Sequence, residues 1–166
     1  MLIKDTMVVI HLAKLSILEK SCECFKKVFI PEKVYQEITK GDEKGFAETP
    51  IITDLVKSGK ILIKRVKNKE LIRKANQFNI QGGEAEVVAL YWQEKKGIIA
   101  TDDDNVRKKR ELLNLKIIGT PAILLKLYHE KRINKDKTKQ CIAKLKEIGW
   151  FSNSILDKIL MEVENG

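Results

Sequence analysis

Apolar residues in this chain come as short bursts separated by longer amphipathic stretches. The bursts at Met1–Lys4, Val28–Ile30, Ile61–Ile63, Ile98–Ala100 and Lys116–Ile118 are brief and rich in β-branched side chains, which predicts five buried strands. The stretches between them carry helical spacing. Val8, Val9, Leu12, Leu15 and Ile17 recur along one face. Pro31 opens a helix through Ile38, at the position proline tolerates best, and Gly41 and Gly45 are expected to end it. Further helices are predicted over 49–58, around 71–78, over 84–96 after the turn Gln81-Gly82-Gly83, over about 104–113, and from Thr120-Pro121 to about Glu130. Two amphipathic helices, near 135–148 and 152–163, end the chain.

Strands alternating with helices imply an α/β fold: a three-layer sandwich around a mostly parallel five-stranded sheet, with the first strand central. A length of 166 residues suits one domain with a sizeable core, 1–166, of which 134–166 is expected as a helical C-terminal extension. Low-complexity tracts, repeats and linkers are absent from the sequence. The N-terminus is apolar but broken by Lys4, Asp5 and His11 and has no cleavage-site pattern, so neither a signal peptide nor a membrane span is expected, and the location expected is cytoplasmic.

Composition adds a partner. Lys and Arg total 32 against 23 acids, a formal charge of +9, which favours a polyanion such as nucleic acid; a Lys-rich surface without a partner would give the same count. Three cysteines and two histidines, without metal-binding spacing, give no zinc signature and suit plain thiols in a reducing compartment. His11 lies among Val8, Ile10, Leu12 and Leu15, and packing is its expected role.

The chemistry sits where apolar bursts end in acids. The fourth strand runs into Thr101-Asp102-Asp103-Asp104, and the first ends at Asp5-Thr6. Parallel strands carry active sites beyond their carboxyl ends, although Asp at such places also caps helices. Glu37 falls between Val34 and Ile38, on a face that could equally be solvated. At about 100° per residue, Glu84 shares the apolar side of its helix with Val87, Val88 and Tyr91, whereas Glu86 falls opposite and is expected in solvent. Gathered on one sheet edge, Asp5, Glu37, Glu84, Asp102 and Asp103 could not all ionise near neutral pH without counter-charge. Oxygen-only donors suit Mg²⁺ or Mn²⁺. Thr6 and Thr101 are candidates to orient these carboxylates, or serve ordinary turn and strand chemistry. Arg107, Lys108, Lys109 and Arg110 could steer RNA phosphates, or form a solvated helix face.

The ordered set Asp5-Thr6, Pro31-Glu32-x-Val34-Tyr35-x-Glu37, Gly83-Glu84-Ala85-Glu86, Thr101-Asp102-Asp103-x-x-x-Arg107, Gly119-Thr120 and Gly149-Trp150-Phe151-x-x-x-Ile155-Leu156 resembles PIN-domain proteins of the VapC-like superfamily. The likeness is to the archaeal and bacterial subgroup of predicted nucleic-acid-binding proteins. Met7 and Pro121 depart from that pattern without removing a carboxylate. The resemblance implies a divalent-metal-dependent endoribonuclease using Mg²⁺ or Mn²⁺. It implies RNA as partner, the toxin half of a toxin–antitoxin pair with a small antitoxin protein as one form, and a homodimer.

Three alternatives meet the residues differently. A haloacid-dehalogenase-like phosphatase needs Asp-x-Asp after the first strand, and here Thr6-Met7 follows Asp5. A receiver domain needs paired acids there. A non-catalytic nucleic-acid-binding or protein-interaction module on the same fold explains the charge but not Glu84 on an apolar face.

Overall fold

The computed structural model describes residues 1–44 and 46–166, with the side chains of 41–44 left aside. Among the described residues, five strands alternate with ten helices. The strands are β1 (Leu2–Lys4), β2 (Val28–Pro31), β3 (Leu62–Lys64), β4 (Ile98–Ala100) and β5 (Ile117–Ile118). The helices are α1 (Thr6–Lys14), α2 (Leu18–Cys24), α3 (Glu32–Lys44), α4 (Thr49–Lys57), α5 (Lys69–Gln77), α6 (Gly82–Glu94), α7 (Asp104–Lys108), α8 (Thr120–His129), α9 (Lys135–Ile148) and α10 (Asn153–Asn165).

All pairings are parallel and the order is β3-β2-β1-β4-β5, so β1 is the central strand. Leu2 and Ile3 are fully buried there, as are Ile30 and Ile99 on the flanking strands. Burial on both faces is what lets a continuous apolar burst, rather than an alternating one, mark these strands. One apolar cluster runs from the sheet through α1 and α6 to Cys141, Ile142 and Leu145 of α9 and Leu156, Ile159 and Val163 of α10. The last two helices pack on each other and on α8.

Three local details differ from the sequence reading. A separate helix, α2, follows a break at Ser16, whose φ of +58° stops α1. Its seven residues are too few to show a period. Helix α3 continues through Gly41, because a lone glycine costs a helix only about 1 kcal/mol and does not break it. Gly45, the other expected stop, lies outside the described residues. Helix α7 ends at Lys108 rather than near 113; turns carry the chain to Asn114, which adopts a φ of +55°. Among the described residues, no helix is long and apolar enough to cross a membrane.

Candidate active site

The chain leaves β1 toward β2 and later enters β4 on the opposite flank of β1. The carboxyl ends of β1 and β4 therefore border the point where strand order reverses, where a crevice opens in sheets of this kind. Asp5 follows β1 directly, and Thr101–Asp103 follow β4. Helix α6 brings Glu84 to the same edge in its first turn, and α3 contributes Glu37.

Asp5 is buried. Its Oδ1 accepts the Val8 N–H (2.9 Å), capping α1, and its Oδ2 accepts the Thr101 hydroxyl. Burial pushes its carboxyl up to about 8, and the charges of Asp102 and Glu84 add to the rise against the two hydrogen bonds. Thr101 also accepts the Asp103 N–H (3.1 Å), so one hydroxyl ties the ends of β1 and β4 together. Glu37 is held at both oxygens: Oε1 accepts the Gly83 N–H (2.8 Å) and Oε2 the Thr6 hydroxyl (2.5 Å). Glycine at position 83 leaves room for this contact, since a Cβ there would lie 2.6 Å from Glu37 Oε2 and push the carboxylate aside.

Glu84 is half-buried and accepts no side-chain hydrogen bond from another described residue. Burial raises its carboxyl, and the charges of Asp103 and Glu37 raise it further. Glu86 departs from the solvent position expected of it. It turns to the start of α3, where its Oε1 accepts the Lys33 N–H (3.4 Å). Burial raises its carboxyl too, with the charges of Glu32 and Glu37 adding to the rise. The reason is that α6 packs on α3 and α5 as well as on the sheet, so more than one of its sides is covered.

The two aspartates after β4 differ sharply. Asp102 is buried with its oxygens engaged: Oδ1 accepts the Thr120 N–H (2.7 Å), and Oδ2 accepts the Thr120 hydroxyl (2.5 Å) and His11 Nδ1 (2.8 Å). Asp103 Oδ1 caps α7 by accepting the Val106 N–H (2.8 Å), which leaves Oδ2 without a described donor. Of the basic run, Arg107 lies at the crevice beside Asp102 and Asp103 and donates to the Thr101 carbonyl (3.3 Å). Lys108 pairs with Asp104, Lys109 donates to the Phe78 carbonyl and Arg110 to the Arg107 carbonyl (2.8 Å).

The donor chemistry suits a hard divalent cation. Glu84 lies within reach of the charges of Asp5, Glu37 and Asp103, and none of the four forms an ion pair among the described residues. Free oxygens remain on Glu84 and Asp103. Among the described residues, no three of His, Cys, Asp and Glu are set closely enough to hold one ion as they stand. The carboxylates are thus gathered without forming a ready coordination shell.

Several residues of this site carried no chemical signal in the sequence. His11 is packed as expected, yet it is also the partner of Asp102. Thr120 spends its backbone and hydroxyl on that same carboxylate. The Trp150 indole N–H donates to the Asp102 carbonyl (3.1 Å). Gly119 leaves room for Arg107, whose guanidinium would lie 2.9 Å from a Cβ there. The Gly119-Thr120 and Gly149-Trp150 pairs were the available signals, as motif pieces without an assigned contact.

In comparisons with known proteins, a family model described as a PIN domain matches residues 1–165. No curated protein and no solved structure matches the chain. A parallel sheet with acids gathered at its central switch point, together with a family match spanning nearly every residue, makes this chain a member of the PIN-domain family.

Proposed function

We propose that this chain is a divalent-metal-dependent endoribonuclease working at the crevice between β1 and β4. PIN domains are generally nucleases, and such nucleases generally use divalent metals. The observation that carries the reading is the set of four carboxylates, Asp5, Glu37, Glu84 and Asp103, gathered without cationic partners. Desolvating like charges is costly, and a bound divalent cation offsets that cost. We assign these four as the ligands. Asp102, the one of the five with a histidine partner, positions the end of β4.

When bound, the ion supplies positive charge against the charge developing on the phosphate and acidifies the attacking water. The chain supplies orientation. Val8 and Thr101 fix Asp5, while Gly83 and Thr6 fix Glu37. Arg107, at the rim, contacts a phosphate oxygen and holds the backbone in place. Water adds to phosphorus, the P–O3′ bond breaks, and the 3′ oxygen takes up a proton, leaving 5′-phosphate and 3′-hydroxyl ends.

The test is cleavage of an end-labelled RNA panel with Mg²⁺ or Mn²⁺. Wild type should cut and leave 5′-phosphates. Asp5→Asn and Glu84→Gln should be slower by at least about 100-fold, in the range of losing a main electrostatic element. Cutting that survives EDTA, or is equal in Asp5→Asn, contradicts the reading. The toxin form of the reading adds growth arrest on expression of wild type and none with Asp5→Asn.

A further inference from the structure

A groove of about 760 Å³ leads away from Asp102 and Asp103 between α8 and α10. Its lining is of two kinds. It is lined by Arg107 beside the carboxylates and by the apolar and aromatic Leu125, Trp150, Phe151 and Ile155. Trp150 is 50% exposed and Ile155 49%, so the two form an open apolar face beside a polar crevice.

The indole is nonetheless held firmly. Its N–H donates to the Asp102 carbonyl, and its ring meets the buried His11 ring edge-on at 5.4 Å. Phe151 meets His11 the same way at 5.3 Å, and His11 is itself locked to Asp102. The platform is thus fixed to the same aspartate whose neighbour lines the acidic crevice. An aromatic ring already held in place loses little freedom when something stacks on it.

We propose that this groove is a nucleobase-stacking subsite, with Trp150 as its platform, that takes an unpaired base of the RNA next to the cleaved phosphate. The proposal rests on the endoribonuclease reading. The groove includes Asp102 and Asp103, and its lining offers both a cation for phosphate, Arg107, and an apolar, aromatic surface beside it. A nucleotide has that same polarity, with a charged phosphate at one end and a flat apolar face at the other. The chain's charge of +9 favours a polyanion over an acid-poor protein partner. Stacking requires a free base face, so the subsite selects single strands over duplex.

The chain has two tryptophans, so Trp92→Phe leaves Trp150 as the sole indole reporter. In EDTA, to prevent cleavage, this variant is titrated with a labelled single-stranded oligouridylate, an abasic chain of equal length and an RNA duplex. Anisotropy reads binding and indole emission reads stacking. The expected result is quenching by the single strand and no quenching by the abasic chain or the duplex. In the same titration, Trp150→Ala should weaken binding of the single strand about ten- to a hundred-fold, with Trp150→Phe retaining most of it. Ile155→Glu, on an open side chain outside the core, should abolish quenching with the melting temperature preserved, which covers the case where Trp150→Ala loosens the α9–α10 joint.

Single-strand binding without quenching would overturn the subsite and leave the endoribonuclease reading standing. Failure to bind the single strand would overturn the subsite, while the endoribonuclease reading is decided separately by the Mg²⁺- or Mn²⁺-dependent cleavage panel. Emission that changes with protein concentration alone, and is lost in Ile155→Glu, would make the groove a contact between protein copies and overturn the proposal.

Discussion

Replacing Asp5 by Asn should stabilise the protein, and the gain should grow with pH. Asp5 is 1% exposed, and burial together with the nearby Asp102 and Glu84 charges raises its carboxyl from 3.8 to about 8. The sign follows from linkage: the folded state binds a proton there that the unfolded chain releases. Stability from this group is therefore complete below about pH 4 and is lost progressively as pH rises toward 8. At pH 7.5 the accumulated loss is on the order of 5 kcal/mol as an upper bound, at about 1.4 kcal/mol per pH unit over the window. Asparagine keeps the side-chain oxygen that caps α1 at Val8, and its amide can donate to the Thr101 hydroxyl, so little is lost in exchange. For a chain of this size, even half the bound shifts the melting temperature by roughly 5–10 °C. The assay is a set of thermal melts of both proteins from pH 4.5 to 8.5 in EDTA. The curves should converge at the acid end and separate with Asn higher at the alkaline end. A constant offset across the range, or Asn lower at pH 8, would refute the buried-carboxylate reasoning. Adding 10 mM Mg²⁺ should narrow the gap from the wild-type side, by about 1.4 kcal/mol for a site with a dissociation constant near 1 mM.

Two further substitutions probe the surroundings. Gly83→Ala places a Cβ against Glu37 and displaces it, so RNA cleavage should fall at least about tenfold while the melt holds or rises by up to about 1 kcal/mol from helix propensity; activity unchanged in a cleavage assay would contradict the role of that contact. Lys4 is fully buried on β1 with its ammonium on Ser21 (2.6 Å), and burial lowers it from 10.5 to about 8, so the folded state holds fewer protons between those values and stability rises with pH through that window. Lys4→Met should then gain about 2 kcal/mol at pH 7 after the lost hydrogen bond, and less by pH 10, as read from denaturant midpoints at the two pH values.

The inner strands β1, β2 and β4 were legible because burial on both faces makes each an uninterrupted apolar burst, as at Ile98–Ala100, whereas the edge strand β3 leaves Leu62 and Ile63 exposed, against the burial expected of it. Helix α2 was not, since Leu18–Cys24 makes barely two turns and buries only Leu18, Ser21 and Cys22. Asp5, Glu84, Asp102 and Asp103 could be named from their place at strand ends and a helix start, and Glu37 from its place between Val34 and Ile38. Which of their oxygens are already taken could not, because that depends on partners far along the chain. His11 and Asp102 are 91 residues apart, and Gly83 reaches Glu37 across 46. Such contacts have no period to betray them. The placement of Glu86 failed for a related reason: a helical wheel assumes one covered side, whereas α6 is covered by α3, α5 and the sheet.

The central claim is that the crevice between β1 and β4 is a cation site, and Mn²⁺ binding tests it without knowledge of the RNA target. Electron paramagnetic resonance of free Mn²⁺, titrated with protein near pH 7.5, counts bound ions directly. Wild type should bind one or two ions, and Asp5→Asn and Glu84→Gln should each weaken binding at least about tenfold, the cost of losing one charged oxygen ligand. Equal binding by all three proteins, or none by wild type at millimolar Mn²⁺, would contradict the account.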